Sequence, residues 1–242
     1  FSAALLGCLL SAGCATEPVF SPADISLDEL EKHQKENSDP QGRYASAKSS
    51  IIRQEIKTEN GWMEPPTIQM VEVKYQAPDK FRLTTFEENQ PALAIIINGN
   101  QGWVANYADR SVIPLDEKQM KRVKTMQLLA TPASRLSDIF KEITIERGVL
   151  DDEDFYRLIC KNPGEKPLEL YVSPVDFLPR RIRWSVEDIR YDSEITRYQM
   201  VEGMLIPDES TIKTDDGEKD SNVIYYKLDV PIPPEDFRPP VF

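Results

Sequence analysis

One histidine, three cysteines and ten glycines are all that this 242-residue chain has of the residue types from which most active sites are built. A Ser-His-Asp relay needs an imidazole held between a nucleophile and an acid. His33 stands instead among Lys and Gln in "EKHQK", on a segment that reads as a polar helix, and is expected to be solvated there. The spacings CxxC and HExxH and the register of a calcium-binding Asp loop do not occur, which removes the usual zinc and calcium sites. The acidic runs "DDED" and "TDDGEKD" read as solvated hairpin loops. No glycine-rich segment offers a phosphate cradle. No catalytic residue, metal ligand or cofactor is therefore assigned, and a non-enzymatic protein is expected.

Positive charge is also in short supply. Lys and Arg number 29 against 41 acidic residues, a net charge of -12, with a sequence pI of about 4.7. Neutralising phosphates takes basic surface, so nucleic acid is excluded as a partner. Past residue 13 no apolar run approaches the ~20 residues of a spanning helix. A hydrophobic content of 40% suits one globular domain with a real core.

The first thirteen residues, "FSAALLGCLLSAG", carry no charge and are too short to span a bilayer. They have the length and small-residue ending of an export-signal core. "LSAGC" resembles a bacterial lipobox, in which a cysteine receives a diacylglycerol after cleavage. Ala12 and Gly13 suit the cleavage site, while Ser11 stands where an aliphatic residue is usual. Cys8 is the competing acceptor, and an ordinary secretory leader with Cys14 incidental is the alternative. The expected organisation is a signal segment over 1–14 with lipidation of Cys14, a proline-bearing tether over 15–25, and one domain over 26–242. A double acyl chain anchors stably to a membrane. Cys160, in the alternating stretch "DFYRLICKN", reads as a small buried strand residue.

Ser26 with Glu29 three residues later forms a capping-box signature for a short helix. Ser50–Thr58 is expected to be a strand. From Pro66 the apolar period is two, with Val71, Val73 and Tyr75 on one face and then Phe81 and Leu83 beyond a turn at "APDK". "PALAIIINGNQGWVANYADRSVIPL" reads as three strands, its "ALAIII" covered on both faces. Met120, Val123 and Gln127 then fall at helical spacing beside four basic residues, and a second helix restarts near Pro132. Met120 and Met126 are candidates for flexible groups lining an interior. Strands separated by "NPGE", "VEGM" and "DDGE" fill the rest. The fold class is mainly β (α+β): about ten antiparallel strands, curling into an incompletely closed half-barrel with a helical insert as lid.

In order and pattern these segments resemble the LolA/LolB-like lipoprotein carrier family. The likeness is carried by "VEVKYQAPDKFRLTTFEENQPALAIIINGNQGWVANYADRSVIPL", with Asn98, Gly99 and Trp103 in its hairpin, and by "RRIRW", "YQMVEGMLIPDEST" and "VPIPPEDFRPP". The resemblance implies a half-open barrel whose apolar interior holds lipoprotein acyl chains in transit. It places Phe81, Leu83 and Ile95 facing inward and Met120 and Val123 in the lid. Where the soluble carriers have an Arg before the turn proline, this chain has Ala77, which points away from a soluble shuttle and to an anchored receptor or a divergent relative. The expected partners are acyl chains of lipoproteins or other lipids, a periplasmic carrier or envelope protein, and a membrane reached through the N-terminal lipid. Ala15 after the acceptor cysteine suggests the outer membrane. The alternative is an interaction or lipid-sensing module of the same fold, with its interior filled by its own side chains.

Overall fold

The computed structural model describes residues 19–59, 64–129, 135–186, 188–215 and 217–242. In chain order it contains β1 (Phe20–Pro22), α1 (Leu27–Ser38), α2 (Arg43–Ser46), β2 (Ser49–Thr58), β3 (Thr67–Gln76), β4 (Lys80–Glu87), β5 (Gln90–Asn98), β6 (Gln101–Asn106) and β7 (Ser111–Pro114). There follow α3 (Glu117–Leu129), α4 (Leu136–Ile139), β8 (Glu142–Leu150), β9 (Glu153–Lys161), β10 (Leu168–Val172), β11 (Pro179–Val186), β12 (Ile189–Val201), β13 (Met204–Thr214), β14 (Gly217–Leu228) and a 3-10 turn (Pro234–Phe237).

All the strands belong to one antiparallel sheet, ordered β1-β8-β9-β10-β11-β12-β13-β14-β2-β3-β4-β5-β6-β7. Two meanders, β8 to β14 and β2 to β7, are thus joined by the β14–β2 pairing. The sheet curves into a half-barrel and does not close. Its fourteen strands exceed the ten expected. One of the additions is β1, inside the segment read as tether, where Phe20–Pro22 pairs with Glu146–Gly148. Gly148 makes this approach possible: a Cβ there would lie 2.3 Å from the Val19 carbonyl oxygen.

The local signals act as the chemistry requires. Ser26 Oγ accepts from the Glu29 amide at 3.3 Å while the Glu29 carboxylate accepts from the Ser26 amide at 3.0 Å, closing the capping box of α1. The buried Asp39 carboxylate accepts from the amides of Arg43, Tyr44 and Ala45 and so holds the start of α2. Glu202–Gly203 and Asp151–Asp152, all at positive φ, form two-residue hairpin turns that match strand twist.

Register decides the faces. Leu30 of α1 and Ile139 of α4 pack on Leu158, Cys160 and Leu170. Ala47, at the end of α2, packs on Met204, Ile206 and Leu228. Val123 of α3 packs on Phe81 and Ile97. Following the pairings from strand to strand puts all these strand residues on the same side, so the four helices share one face, called inner below.

The outer face has its own covers. Ala94, Ile96 and Ala105 are buried there with Trp103, Tyr107 and Val112, so "ALAIII" is covered on both sides. The C-terminal segment straps this region: Phe237 is fully buried, and Arg82 donates to the Asp236 carbonyl at 2.9 Å and to the Tyr107 hydroxyl at 2.7 Å. Lys74 pairs with the Asp236 carboxylate at 3.1 Å. At the opposite end, Leu150, Phe155 and Tyr171 pack beneath Phe20, and the Arg157 guanidinium lies 4.1 Å from the Phe20 ring centroid.

Candidate functional site: the inner face and its helical covers

Strands β3 to β6 run in continuous register across the inner face. Tyr75, Phe81, Ile97 and Gly102 form one row, and Val73, Leu83, Ile95 and Val104 the next. Helix α3 is laid over this end. Its start is fixed by a reciprocal pair, in which the Gln119 amide donates to Asp116 Oδ1 at 2.7 Å and the Asp116 amide donates to Gln119 Oε1 at 2.9 Å. The helical period then turns Met120, Val123 and Gln127 to the sheet.

Phe81, at 2% exposure, Ile97, at 0%, and Val123, at 6%, form the centre of this contact. Val73, Leu83, Ile95, Leu115 and Met120 surround it. Gly102 sets the distance, because a Cβ there would meet Met120 Sδ at 2.3 Å and Leu115 Cδ1 at 2.7 Å. Only a residue without a side chain lets the helix sit this close to β6.

Polar contacts tie the rim. Lys121 pairs with Glu165, in the β9–β10 turn, at 2.8 Å, and the hydrogen bond from Lys121 holds the Glu165 carboxyl below its ordinary value. Lys124 Nζ donates to Asn100 Oδ1 at 3.2 Å. Helix α3 therefore reaches from the β5–β6 turn at one end of the sheet to the β9–β10 turn at the other.

The second cover is the α1–α4 pair over β8–β10. Arg135 bonds Glu31 at 2.8 Å and also pairs with Asp28, clamping the start of α4 to α1. Cys160 is fully buried beneath them, and burial pushes its thiol up to about 12. His33 lies on α1 as expected. Its side chain is 45% exposed, and beyond that solvation it stacks on Phe177 with ring centroids 4.6 Å apart and meets Glu36 at 3.3 Å. Phe177 stacks in turn on Tyr156.

All five residues named from the sequence, Phe81, Leu83, Ile95, Met120 and Val123, lie in one apolar cluster. Cys14, Cys8, Pro132 and the side chain of Met126 lie outside the described residues. Sequence reasoning missed Ile97, although its alternation with Ile95 puts it on the same face. It also missed Gly102, whose role is invisible until β6 is paired and α3 is seated. Chemically the patch supplies non-directional apolar contact and no titratable group. Among the described residues, no helix is long and apolar enough to cross a membrane, and no three His, Cys, Asp or Glu are grouped so as to hold a metal.

No protein-family model matches the chain, and no curated protein matches it in sequence. Its fold, in contrast, is found among solved structures. A LolA superfamily protein from Nitrosomonas europaea superposes with a TM-score of 0.62 at 16% identity, covering 88% of this chain and 98% of the other. A DUF1329 family protein from Desulfovibrio piger gives a TM-score of 0.59 at 10% identity, over 88% and 95% of the two chains. A domain named for outer-membrane lipoprotein sorting, from Vibrio parahaemolyticus, gives 0.56 at 11% identity, over 87% and 95%. At these identities the likeness is one of fold: the chain has a LolA-like fold.

Proposed function

We propose that this protein is a lipid-binding lipoprotein of the bacterial envelope whose inner face receives acyl chains, acting in lipoprotein sorting or reception. In this reading Cys14 carries the lipid anchor on the periplasmic side, with the outer membrane as its site. Phe81, Leu83 and Ile95 form the wall on which chains lie, and Met120 and Val123 belong to the cover that must lift to admit them. The partners are acyl chains of lipoproteins or other lipids and a periplasmic carrier or envelope protein that delivers them.

One observation carries the reading. A fourteen-strand sheet keeps its inner face apolar beneath α3 at one end and beneath α1 and α4 at the other, without closing into a barrel. An acyl chain needs such a dry, undirected surface, each buried methylene contributing about 0.8 kcal/mol. The LolA-like fold of the solved structures supports it, one of them being named for lipoprotein sorting.

A second reading rests on a specific observation too. Phe81, Ile97 and Val123 already fill the space beneath α3, as in a protein that uses its rim to engage a partner and keeps its interior as a core. Native mass spectrometry separates the two. Adducts of fatty-acid or phospholipid mass that vanish on denaturation are expected, and are expected to be lost in folded Leu83→Glu and Ile95→Glu proteins. A clean mass after incubation with lipid or acylated peptide would favour the partner-binding reading.

A further inference from the structure

The two helical covers of the inner face differ in charge. Helix α1 carries four acidic and two basic residues, in keeping with a chain of net charge -12. Helix α3 reverses the balance, with Lys118, Lys121, Arg122 and Lys124 against Glu117 alone. The helical period sorts these residues by face. Val123 and Gln127 are buried on the sheet side, which puts Lys118, Lys121 and Arg122 in one sector on the opposite side. Lys124 flanks that sector and donates to Asn100. Helix α3 is thus amphipathic, with Met120 and Val123 inward and a basic stripe outward.

The stripe is only partly engaged by the protein itself. Lys118 is exposed and makes no ion pair among the described residues. Lys121 pairs with Glu165, yet its side chain stays 59% exposed. Arg122 acts by its charge on the same carboxylate. Asp116 and Glu117 offset part of the excess at the helix start, where Asp116 accepts from the Gln119 amide. Around the β9–β10 turn the charges balance, Lys161 standing opposite Glu142 in register and Lys166 meeting Asp188 at 3.4 Å. The remaining positive charge therefore sits on α3. An apolar group adjoins it: Ile113 of β7 lies opposite Val104 on the inner side of the free edge and is 62% exposed, just before the helix begins.

Resting on the reading of Cys14 as the lipid anchor, we propose that the outward face of α3, with Ile113 beside it, docks on an anionic bilayer surface. Lys and Arg on the polar side of an amphipathic helix are the groups that anionic headgroups attract. Each one brought to such a surface strengthens binding about fivefold. Cys14 lies six residues before Phe20, where β1 begins, and six residues of chain extend at most about 21 Å. The anchor therefore keeps the bilayer within contact range, whereas an acidic protein of the same complementarity has to arrive by diffusion. The rest of the surface is acidic and repelled by anionic lipid, so the same field turns α3 toward the membrane.

The test uses the full chain with Cys14→Ser, which cannot be acylated at that position. Vesicles are of phosphatidylcholine alone or mixed equally with phosphatidylglycerol. Co-sedimentation is expected to show binding to the mixed vesicles at least about tenfold tighter at about 0.1 M salt. The preference should vanish at about 1 M, where the screening length has fallen from about 10 Å to about 3 Å. A Lys118→Gln, Lys121→Gln, Arg122→Gln protein, its fold checked by circular dichroism, is expected to lose the preference. Equal binding to the two kinds of vesicle by the chain with α3 intact overturns the proposal and needs no variant to fold. A preference that survives high salt, or that persists in the folded triple variant, overturns it as well. Salt-sensitive self-association without vesicles, abolished by the triple substitution, would assign the stripe to an acidic protein face and overturn the bilayer as its occupant. The readings beneath it are decided elsewhere, the acyl-chain reading by the adduct masses above and the anchor by whether Cys14 of the protein made in a bacterium carries diacylglycerol.

Discussion

Replacing Gly102 with Ala tests how α3 is seated. The added methyl would stand 2.3 Å from Met120 Sδ and 2.7 Å from Leu115 Cδ1, far inside van der Waals contact. Overpacking of this kind costs about 1–3 kcal/mol. Loss of glycine's freedom in the unfolded chain returns about 0.4–1 kcal/mol. A net destabilisation of about 1–2 kcal/mol is expected, which for a slope near 3 kcal/mol per molar urea shifts the midpoint by roughly 0.5 M. Met120→Ala removes the nearer obstacle and leaves the end of the flexible Leu115 side chain. In that background Gly102→Ala should cost about 0.5 kcal/mol or less, giving a coupling of about 1 kcal/mol between the two sites. Urea unfolding of the four proteins, followed by circular dichroism, measures the cycle. Equal costs in the two backgrounds, or no cost in the first, would refute the seating of Met120 against β6.

The outer strap and the buried thiol give further expectations. Phe237→Ala empties a fully buried site and should lower stability by about 3–5 kcal/mol; a loss below 1 kcal/mol in thermal or urea unfolding would show that the C-terminal segment does not hold the outer face. Cys160 has its native thiol pushed up to about 12, against ~8.5 in an unfolded chain. Above pH 8.5 the unfolded form therefore releases a proton that the native form retains. Stability falls as pH rises, by up to about 1.4 kcal/mol per unit. Cys160→Ala, though less stable at neutral pH, should show a flatter decline between pH 8.5 and 10, and parallel stability curves for the two proteins would refute the assignment.

The inner wall was legible because its signal is local. Alternation carries Val73, Phe81, Leu83 and Ile95 to one side of a sheet whatever the neighbouring strands are, and the spacing of Met120 and Val123 does the same for a helix. Ser26 with Glu29 announced α1 for the same reason. The strand β1 was not legible, since its three residues pair only because Gly148, far along the chain, leaves room. Nor was the stack of His33 on Phe177, whose partners are 144 positions apart and held by tertiary structure alone.

The two free edges of the sheet have a mechanical consequence. A closed barrel has a circumference set by its strand number and stagger, so widening it means breaking ladder hydrogen bonds. Here the edge strands are short, β1 with three residues and β7 with four, and each ends on a proline that blunts further pairing. Among the described residues the links across the gap include helix α3 and the exposed ion pair Lys121–Glu165, a contact worth about 1 kcal/mol at most. Girth is therefore an adjustable quantity in this molecule. The sheet can gape or tighten by changing its coil, with every strand still bonded to its neighbours, and the bulk it can enclose is set by bending stiffness rather than by a fixed bore.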